Sequence, residues 1–388
     1  MPVMPVISVL ASLTVAAVLG PDLPPLATPA AAPAPPAAAQ AAQPAEALDG
    51  IDPVLLIQGK EVQGKNDLKI ARGKFVYLFA TPETKATFEK EPAKYEIQLG
   101  GMCARMGGGA TGNPSDYFVY DKKIYIFGSD DCHKKFAAAP AKFLPRPAAP
   151  MPTAAGDLRQ GAALVERMVK ALGGGARLDA VTTYVESFSQ TQKRQAAEAT
   201  ITTRALYRLP GDVRVERTVV TADRSLSSAN LLTPAGSWFL SSDRVFPQAA
   251  EGRAAAEQEV LRQLVPLLHA RRDAGFKAAA VAGATVDGVS EDRVRIQRGA
   301  VDVTLGLDKA SGRPHSVSFV GRGTDAEIGD CTIVLDDFRD VSGLLLPFSE
   351  RALFNGAPDA NRTRRFDAIA INIPLDAGLF EPTPVTVK

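Results

Sequence analysis

The sequence predicts an α+β protein in which two small repeated α+β units precede a large antiparallel sheet with a few helices. Three observations carry this. A stretch between Ile51 and Pro145 is written twice at a fixed offset. Alternating apolar runs separated by turn signals follow it almost to the C-terminus. An Ala/Pro-rich segment and a Pro-containing segment mark off the parts.

The repeat comes first. Phe79-Ala-Thr-Pro-Glu-Thr84-Lys-Ala-Thr-Phe88 is followed by Pro92 and Tyr95. Phe127-Gly-Ser-Asp-Asp-Cys132-His-Lys-Lys-Phe136 is followed by Pro140 and Phe143. Each pair lies 48 positions apart, and the same offset sets Leu55 against Cys103 and Thr84 against Cys132. Self-similarity at such a period means one supersecondary unit built twice. In unit one, Phe75-Val-Tyr-Leu-Phe79 is a strand. Thr81-Pro82-Glu83 opens a helix, with Thr as N-cap and Pro at the first helical position. Asp52-Pro-Val with Gly59-Lys-Glu-Val62 suggests a preceding hairpin. In unit two, Ile124-Tyr-Ile-Phe127 is the strand, Ser129 the cap and Cys132 to Ala139 the helix, with Gly107 to Gly112 as a loop.

Composition bounds the rest. A 388-residue chain that is 46 % hydrophobic is long enough for two or three cores. A net charge of +1 leaves no basic footprint for nucleic acid. Three cysteines (Cys103, Cys132, Cys331) and three histidines (His133, His269, His315) exclude a disulfide-dense scaffold and argue against a three-His metal site. Val6 to Leu19 is an uncharged apolar run of signal-peptide length and short for a membrane span. It predicts export to the periplasm or outside the cell, although the first basic residue is Lys60 and the usual basic n-region is missing. Without a lipobox cysteine no lipid anchor is expected. Residues 21–50, almost all Ala and Pro, read as an extended, semi-rigid tether that would hold the folded part away from a membrane, or as a disordered segment.

The predicted organisation is therefore a signal segment at 1–20, a tether at 21–50, unit one at 51–98 and unit two at 99–145. A linker at 146–156 and the large sheet at 157–388 complete it. Leu158 to Leu172 is helical by spacing, with Leu158, Ala162, Val165, Val169 and Leu172 on one face. Strands are expected over 182–192, 200–209, 213–220, 226–233 and 237–241. A helix over 254–270, interrupted near Pro266, comes next. Strands resume over 293–297, 301–307, 315–320, 331–337, 346–353 and 366–373. Pro210-Gly-Asp, Lys309-Ala-Ser-Gly and Asn355-Gly are turns.

The repeat also carries a resemblance. Asp52-Pro-Val54, Tyr77-Leu-Phe79, Lys85-Ala-Thr-Phe88 and Pro92-Ala-Lys-Tyr95 in unit one resemble the YHS family, which is related to the TRASH metal-binding modules. In unit two the matching residues are Tyr125-Ile-Phe127, Cys132-His-Lys-Lys-Phe136 and Pro140-Ala-Lys-Phe143. In that family one Cys follows the Asp-Pro-Val and a Cys-x-x-x-Cys pair lies at the strand-to-helix turn, as metal-holding thiolates. Cys103 matches the first and Cys132 the last, while Gly128 stands at the middle position. Unit one has no cysteine, so the resemblance implies that it is metal-free. The C-terminal part resembles the lipoprotein-carrier (LolA-like) half-barrels. The residues are Asp308…Gly312-Arg-Pro314, Phe338-Arg-Asp-Val-Ser-Gly343 with Leu346-Pro347, Asn355-Gly356, and Ile371-Asn372…Phe380-x-Pro382. This implies a sheet curled round an apolar cleft that holds a lipid or lipoprotein acyl chain.

Cys103, Cys132 and His133 are the candidate site. Thiolate, imidazole and the nearby Met102 and Met106 suit a soft ion, copper as Cu(I) or zinc. Cys132 in a first helical turn is favoured as thiolate. Three readings stay open: a metal site, a Cys103–Cys132 disulfide staple, or two free thiols. His133 alone reads as a solvated helix residue, and Cys331 as a small buried strand residue. His269 and His315 read as surface or satisfied partly buried residues and the Asp336-Asp337/Asp340 cluster as a solvated turn, and no hydrolase or P-loop signature is present. The expected function is non-enzymatic. Unit two would bind or sense a soft metal, and the half-barrel would bind an apolar ligand or partner. The alternatives are a stapled interaction module and a thiol redox protein in which Cys103 resolves Cys132.

Overall fold

A computed structural model describes residues 44–385 apart from 108–109, 195–196 and 249. The expected signal segment and most of the Ala/Pro stretch lie outside these residues.

The chain enters through β1 (Ala45–Glu46), which pairs in parallel with the later strand starting at Phe75. Ala47 and Leu48 are fully buried. The fold thus reaches back into what reads as tether, because Leu48 belongs to the unit-one core. Asp52 then caps α1 (Pro53–Leu56). This short helix replaces the hairpin expected there, since Asp as N-cap with Pro at N1 starts a helix. β2 (Lys65–Arg72) and β3 (Phe75–Phe79) form the hairpin instead, followed by α2 (Pro82–Lys90) and α3 (Pro92–Tyr95). Thr81 and Thr84 close a capping box at the head of α2.

Unit two repeats the plan with β4 (Asn113–Tyr120), β5 (Lys123–Phe127) and α4 (Asp130–Ala138), the last capped by Ser129. Hairpin and helix keep the offset of 48, but the segment before them does not. Leu48, Asp49 and Gly50 have φ of 60°, 50° and 77°, and Leu99, Gly100 and Gly101 have 56°, 59° and 75°. The Ile51–Gln63 bridge recurs as Met102–Thr111, and Asp52 N→Val62 O recurs as Cys103 N→Ala110 O. Upstream of the loop the offset is 51, because unit one carries three more residues there. The structural counterpart of Cys103 is therefore Asp52 and not Leu55.

The remaining chain builds one large antiparallel sheet with few helices. It opens with α5 (Ala155–Ala171) and α6 (Gly175–Asp179). A first meander follows: β6 (Thr183–Arg194), β7 (Ala197–Arg208), β8 (Asp212–Val220), β9 (Ser225–Thr233), β10 (Gly236–Leu240) and β11 (Val245–Pro247). Two helices, α7 (Ala250–Leu261) and α8 (Leu264–His269), connect it to the second. The break falls at Arg262-Gln263 and not at Pro266, which sits in the first turn of α8 where its missing N–H costs nothing. The second meander is β12 (Lys277–Val286), β13 (Val289–Arg298), β14 (Val301–Asp308), β15 (Pro314–Arg322), β16 (Ile328–Val341) and β17 (Leu344–Phe354). β18 (Ala357–Pro358) and β19 (Arg364–Ile371) end the sheet.

The strand order is β11-β10-β9-β8-β7-β6-β19-β17-β16-β15-β14-β13-β12, with β18 beside β17. The last strand thus joins the two meanders. α7 touches β9 and β10 on one wing and β14 on the other, so the sheet curls around it. Val165, Met168 and Val169 of α5, Leu267 and Leu268 of α8, and Val294, Leu305 and Leu346 of the strands share one core. Burying each such side chain contributes about 2 kcal/mol.

The join is thin. β17 and β19 pair only at Ser349–Arg365 and Glu350–Arg364. Charges are buried there: Glu186 and Glu350 are 3 % and 7 % exposed, and Arg364 lies 3.7 Å from Glu350. Tyr184 donates a 2.7 Å hydrogen bond to Glu186. Burial first, then the neighbouring Glu350 charge, push the Glu186 pKa up to about 7 from an ordinary 4.5. The folded protein thus holds this proton more tightly than the unfolded chain. Stability falls as pH rises from about 4.5 to about 7 and is level above. Glu186→Gln should raise stability on the order of 2 kcal/mol at pH 8 and leave it unchanged at pH 4. Denaturant titrations at both values check this; a gain of equal size at both contradicts the buried-proton account.

Candidate functional site

Two places have the geometry to bind something. The first is the thiol pair of unit two. Parallel pairing of Cys103 with Ile126 and the first turn of α4 bring Cys103 and Cys132 into one core cluster. The two thiols are close enough that the Cys103 thiol helps to lower the Cys132 pKa. Both are free, so the staple considered from the sequence is not formed. Arg105 is the group the sequence reading missed. Its Nη1 lies 3.8 Å from Cys132 Sγ and 3.4 Å from Met106 Sδ. Burial alone would raise the Cys132 pKa. Hydrogen bonds involving Ser129, Arg105 and Cys103, with the Arg105 charge, outweigh it and bring the thiol below its ordinary value.

Unit one has other groups at the matching places. Asp52 is fully buried. It accepts hydrogen bonds from Val54 N (2.9 Å), Ala80 N (2.8 Å) and Thr84 Oγ1 (2.5 Å). Asp52 and Thr84 occupy in unit one the places of Cys103 and Cys132. One unit holds its helix to its entry loop by a carboxylate–hydroxyl bond, and the other by two sulfurs. A Cβ at Gly128 would lie 3.9 Å from Cys103 Cβ, so that position faces the pair but supplies no ligand.

His133 does not join the thiols. Its Nδ1 is 2.5 Å from Asp116 Oδ1 and its ring stacks on Phe127 at 4.7 Å. Among the described residues no group of three His, Cys, Asp or Glu is placed to hold a metal, and His133 stands apart from the Cys103–Cys132 pair it was expected to join. The cause is geometric: consecutive helical residues point about 100° apart. Cys331 is buried in β16, where burial raises its pKa. His315 pairs with the fully buried Glu291 at 2.6 Å. Asp337 pairs with Arg339 at a strand irregularity.

The thiol pair also lies at the junction with the large sheet. Arg105 Nη2 donates to Asp325 O (3.2 Å), and Arg322 donates back to Arg105 O (2.5 Å) and Phe143 O (3.1 Å). Lys142–Glu327 and Arg146–Asp330 flank them. The β15–β16 turn is thereby held against unit two.

The second place is a cleft of about 570 Å³ where α5 leaves the sheet. The apolar face of α5 is buried at Val165, Val169 and Leu172, but one and two turns earlier Ala162 and Leu158 are exposed and line the cleft. Phe276 and Ala278 at the start of β12 form the opposite wall, and Met151 and Pro152 the third. The linker is fixed there, since Arg295 donates to Ala149 O (2.8 Å) and Pro150 O (3.0 Å). Small residues let helix and strand meet. A Cβ on Gly161 would stand 2.6 Å from Ala279 Cα. Its charged lining residues are Glu166, Arg271 and Lys277, of which Glu166 and Arg271 lie 3.5 Å apart. A smaller cavity at the β17–β19 join, about 20 Å³ and lined by Arg262, Glu350, Arg362 and Arg364, has room for little more than a water.

No family model matches the sequence, and no curated protein matches it. Three solved structures resemble part of the chain. A DUF1329 family protein from Desulfovibrio piger is 10 % identical, with 58 % of this chain and 97 % of that one covered at a TM-score of 0.38. A putative outer membrane lipoprotein-sorting protein domain from Vibrio parahaemolyticus is 11 % identical, with 57 % and 97 % covered at 0.37. A LolA superfamily protein from Nitrosomonas europaea is 13 % identical, with 57 % and 97 % covered at 0.38. No residue or activity is carried over at such scores.

Proposed function

We propose that this is an exported, non-enzymatic binding protein whose large sheet and α5 hold an apolar ligand. The observation that carries this is the unpartnered start of the α5 apolar face. The stripe of Leu158, Ala162 and Val165 continues beyond the packed core into a cleft walled by Phe276 and Ala278. Its 570 Å³ falls within the roughly 300–1,000 Å³ of small-molecule sites, and mostly apolar walls with a few charged groups are their usual make-up. Export rests on the apolar run at Val6 to Leu19. A lipid is the natural occupant of such a cleft in that compartment, and a lipoprotein acyl chain would present the same surface. Among the described residues no helix is long and apolar enough to cross a membrane. Ala162→Trp should fill the cleft without disturbing the core, because Ala162 is exposed. Binding of diphenylhexatriene, an uncharged apolar fluorophore, should fall at least about tenfold, the loss of one to two buried contacts' worth of energy. Unchanged binding would place the ligand elsewhere.

A second reading concerns the thiols, favoured by their contact and by the lowered Cys132 pKa. Two sulfurs without a third charged ligand do not fit zinc, which takes four ligands. They fit a soft monovalent ion such as Cu(I). Two thiolates and one such ion would leave a single negative charge, which Arg105 would balance. A divalent ion would leave the guanidinium uncompensated. Unit two would then bind or sense copper, as its YHS-like pattern suggests. Reduced protein should take up about one equivalent of Cu(I), and Cys103→Ser and Cys132→Ser should each abolish uptake. Uptake retained in either variant would count against this site. Recovery of a Cys103–Cys132 disulfide from air-exposed protein, with no metal uptake when reduced, would favour a staple or redox pair.

A further inference from the structure

We propose that the cleft selects amphiphiles that end in an anionic group, with Arg271 as the headgroup anchor. The inference rests on the reading of the cleft as an apolar ligand site and names the ligand class.

Arg271 lines the cleft beside Glu166, and its side chain is only 2 % exposed. Nη1 is fully used: it lies 2.6 Å from Asp179 Oδ1 and donates to Leu268 O at 3.2 Å. Among the described residues Nε and Nη2 have no hydrogen-bond partner. A buried guanidinium that leaves two donors unmade loses on the order of 1–3 kcal/mol per donor, so such donors ordinarily have a partner. Nη2 is packed under Gly175, where an added Cβ would lie 2.9 Å away. Nε faces α5. Glu166 Oε1 stands 3.5 Å from it, too far for a hydrogen bond, on a side chain that is 68 % exposed. Glu166 is thus ion-paired with Arg271 from an exposed position but leaves the Nε hydrogen bond unmade.

The local charge is not balanced. Asp179 is committed to Arg271 and, at 3.0 Å, to Arg272. Its pKa is held down chiefly by the Arg271 hydrogen bond, so it stays ionised. Lys277 adds a third cation at the rim. Arg271, Arg272 and Lys277 outnumber Asp179 and the exposed carboxylate of Glu166 by one positive charge, which a ligand could neutralise. An acyl chain along Leu158, Ala162 and Phe276 would bring a terminal anion to Nε, displacing Glu166 into solvent. A carboxylate of a free fatty acid and a phosphate monoester of a lipid share this chemistry.

The test uses one acyl chain length with three ends: carboxylate, phosphate monoester and hydroxyl. Each is titrated by calorimetry into the full chain and into Glu166→Gln. Both anions should bind about tenfold or more tighter than the alcohol, the worth of one charge-assisted hydrogen bond. Glu166→Gln should tighten the anions several-fold and leave the alcohol unchanged. The stronger of the two anions identifies the source. If the alcohol binds as tightly as the anions, or Glu166→Gln has no effect on them, the headgroup inference is overturned while the apolar cleft stands. If none of the three binds, the cleft reading itself fails.

Discussion

An apolar helix face longer than the surface it packs on sets the functional geometry of this protein. α5 buries its C-terminal turns in the core, where Met168 is fully enclosed. The approach of Gly161 to Ala279 fixes how near the helix can lie to the edge strand β12. Beyond that contact the helix extends past the packed surface while its stripe stays apolar. Water against Leu158 and Ala162 is a standing cost that a ligand would remove. The linker, held by Arg295, turns an open groove into a cleft with three walls.

The repeat shows how a duplicated unit can keep its architecture and change its chemistry at one buried position. Asp52 with Thr84 and Cys103 with Cys132 bridge the same loop to the same helical turn. A buried carboxylate is tolerated in unit one because backbone N–H groups and a hydroxyl satisfy it. In unit two the sulfurs need fewer donors, and Arg105 enters beside them. Arg105 also contacts the β15–β16 turn. Any change of charge at the thiols therefore acts on the contact that joins unit two to the sheet.

Much of the fold was legible in the sequence because alternation and capping are local. Most strands of both meanders, the Thr81 and Ser129 caps and the face of α5 follow from spacing. What failed was set by distant partners. β12 reads Lys-Ala-Ala-Ala-Val-Ala-Gly-Ala, with little strand propensity. Its small residues are there to admit α5, which only the packing reveals. A fixed offset mispaired Leu55 with Cys103, since a three-residue insertion is invisible when only the flanking motifs are matched. The thiol pair was found from cysteine positions alone. Arg105, two residues past Cys103, carried no signal, and neither did Arg271, whose unpaired donors exist only in three dimensions.

Occupancy of the α5 cleft is tested most directly by placing a probe there. A spin-labelled acyl chain added to methyl-labelled protein should broaden the resonances of Leu158, Ala162, Val165 and Ala278 and spare those of Leu267 and Leu305 in the core. Broadening centred on the core strands instead, or none at saturating probe, would contradict it.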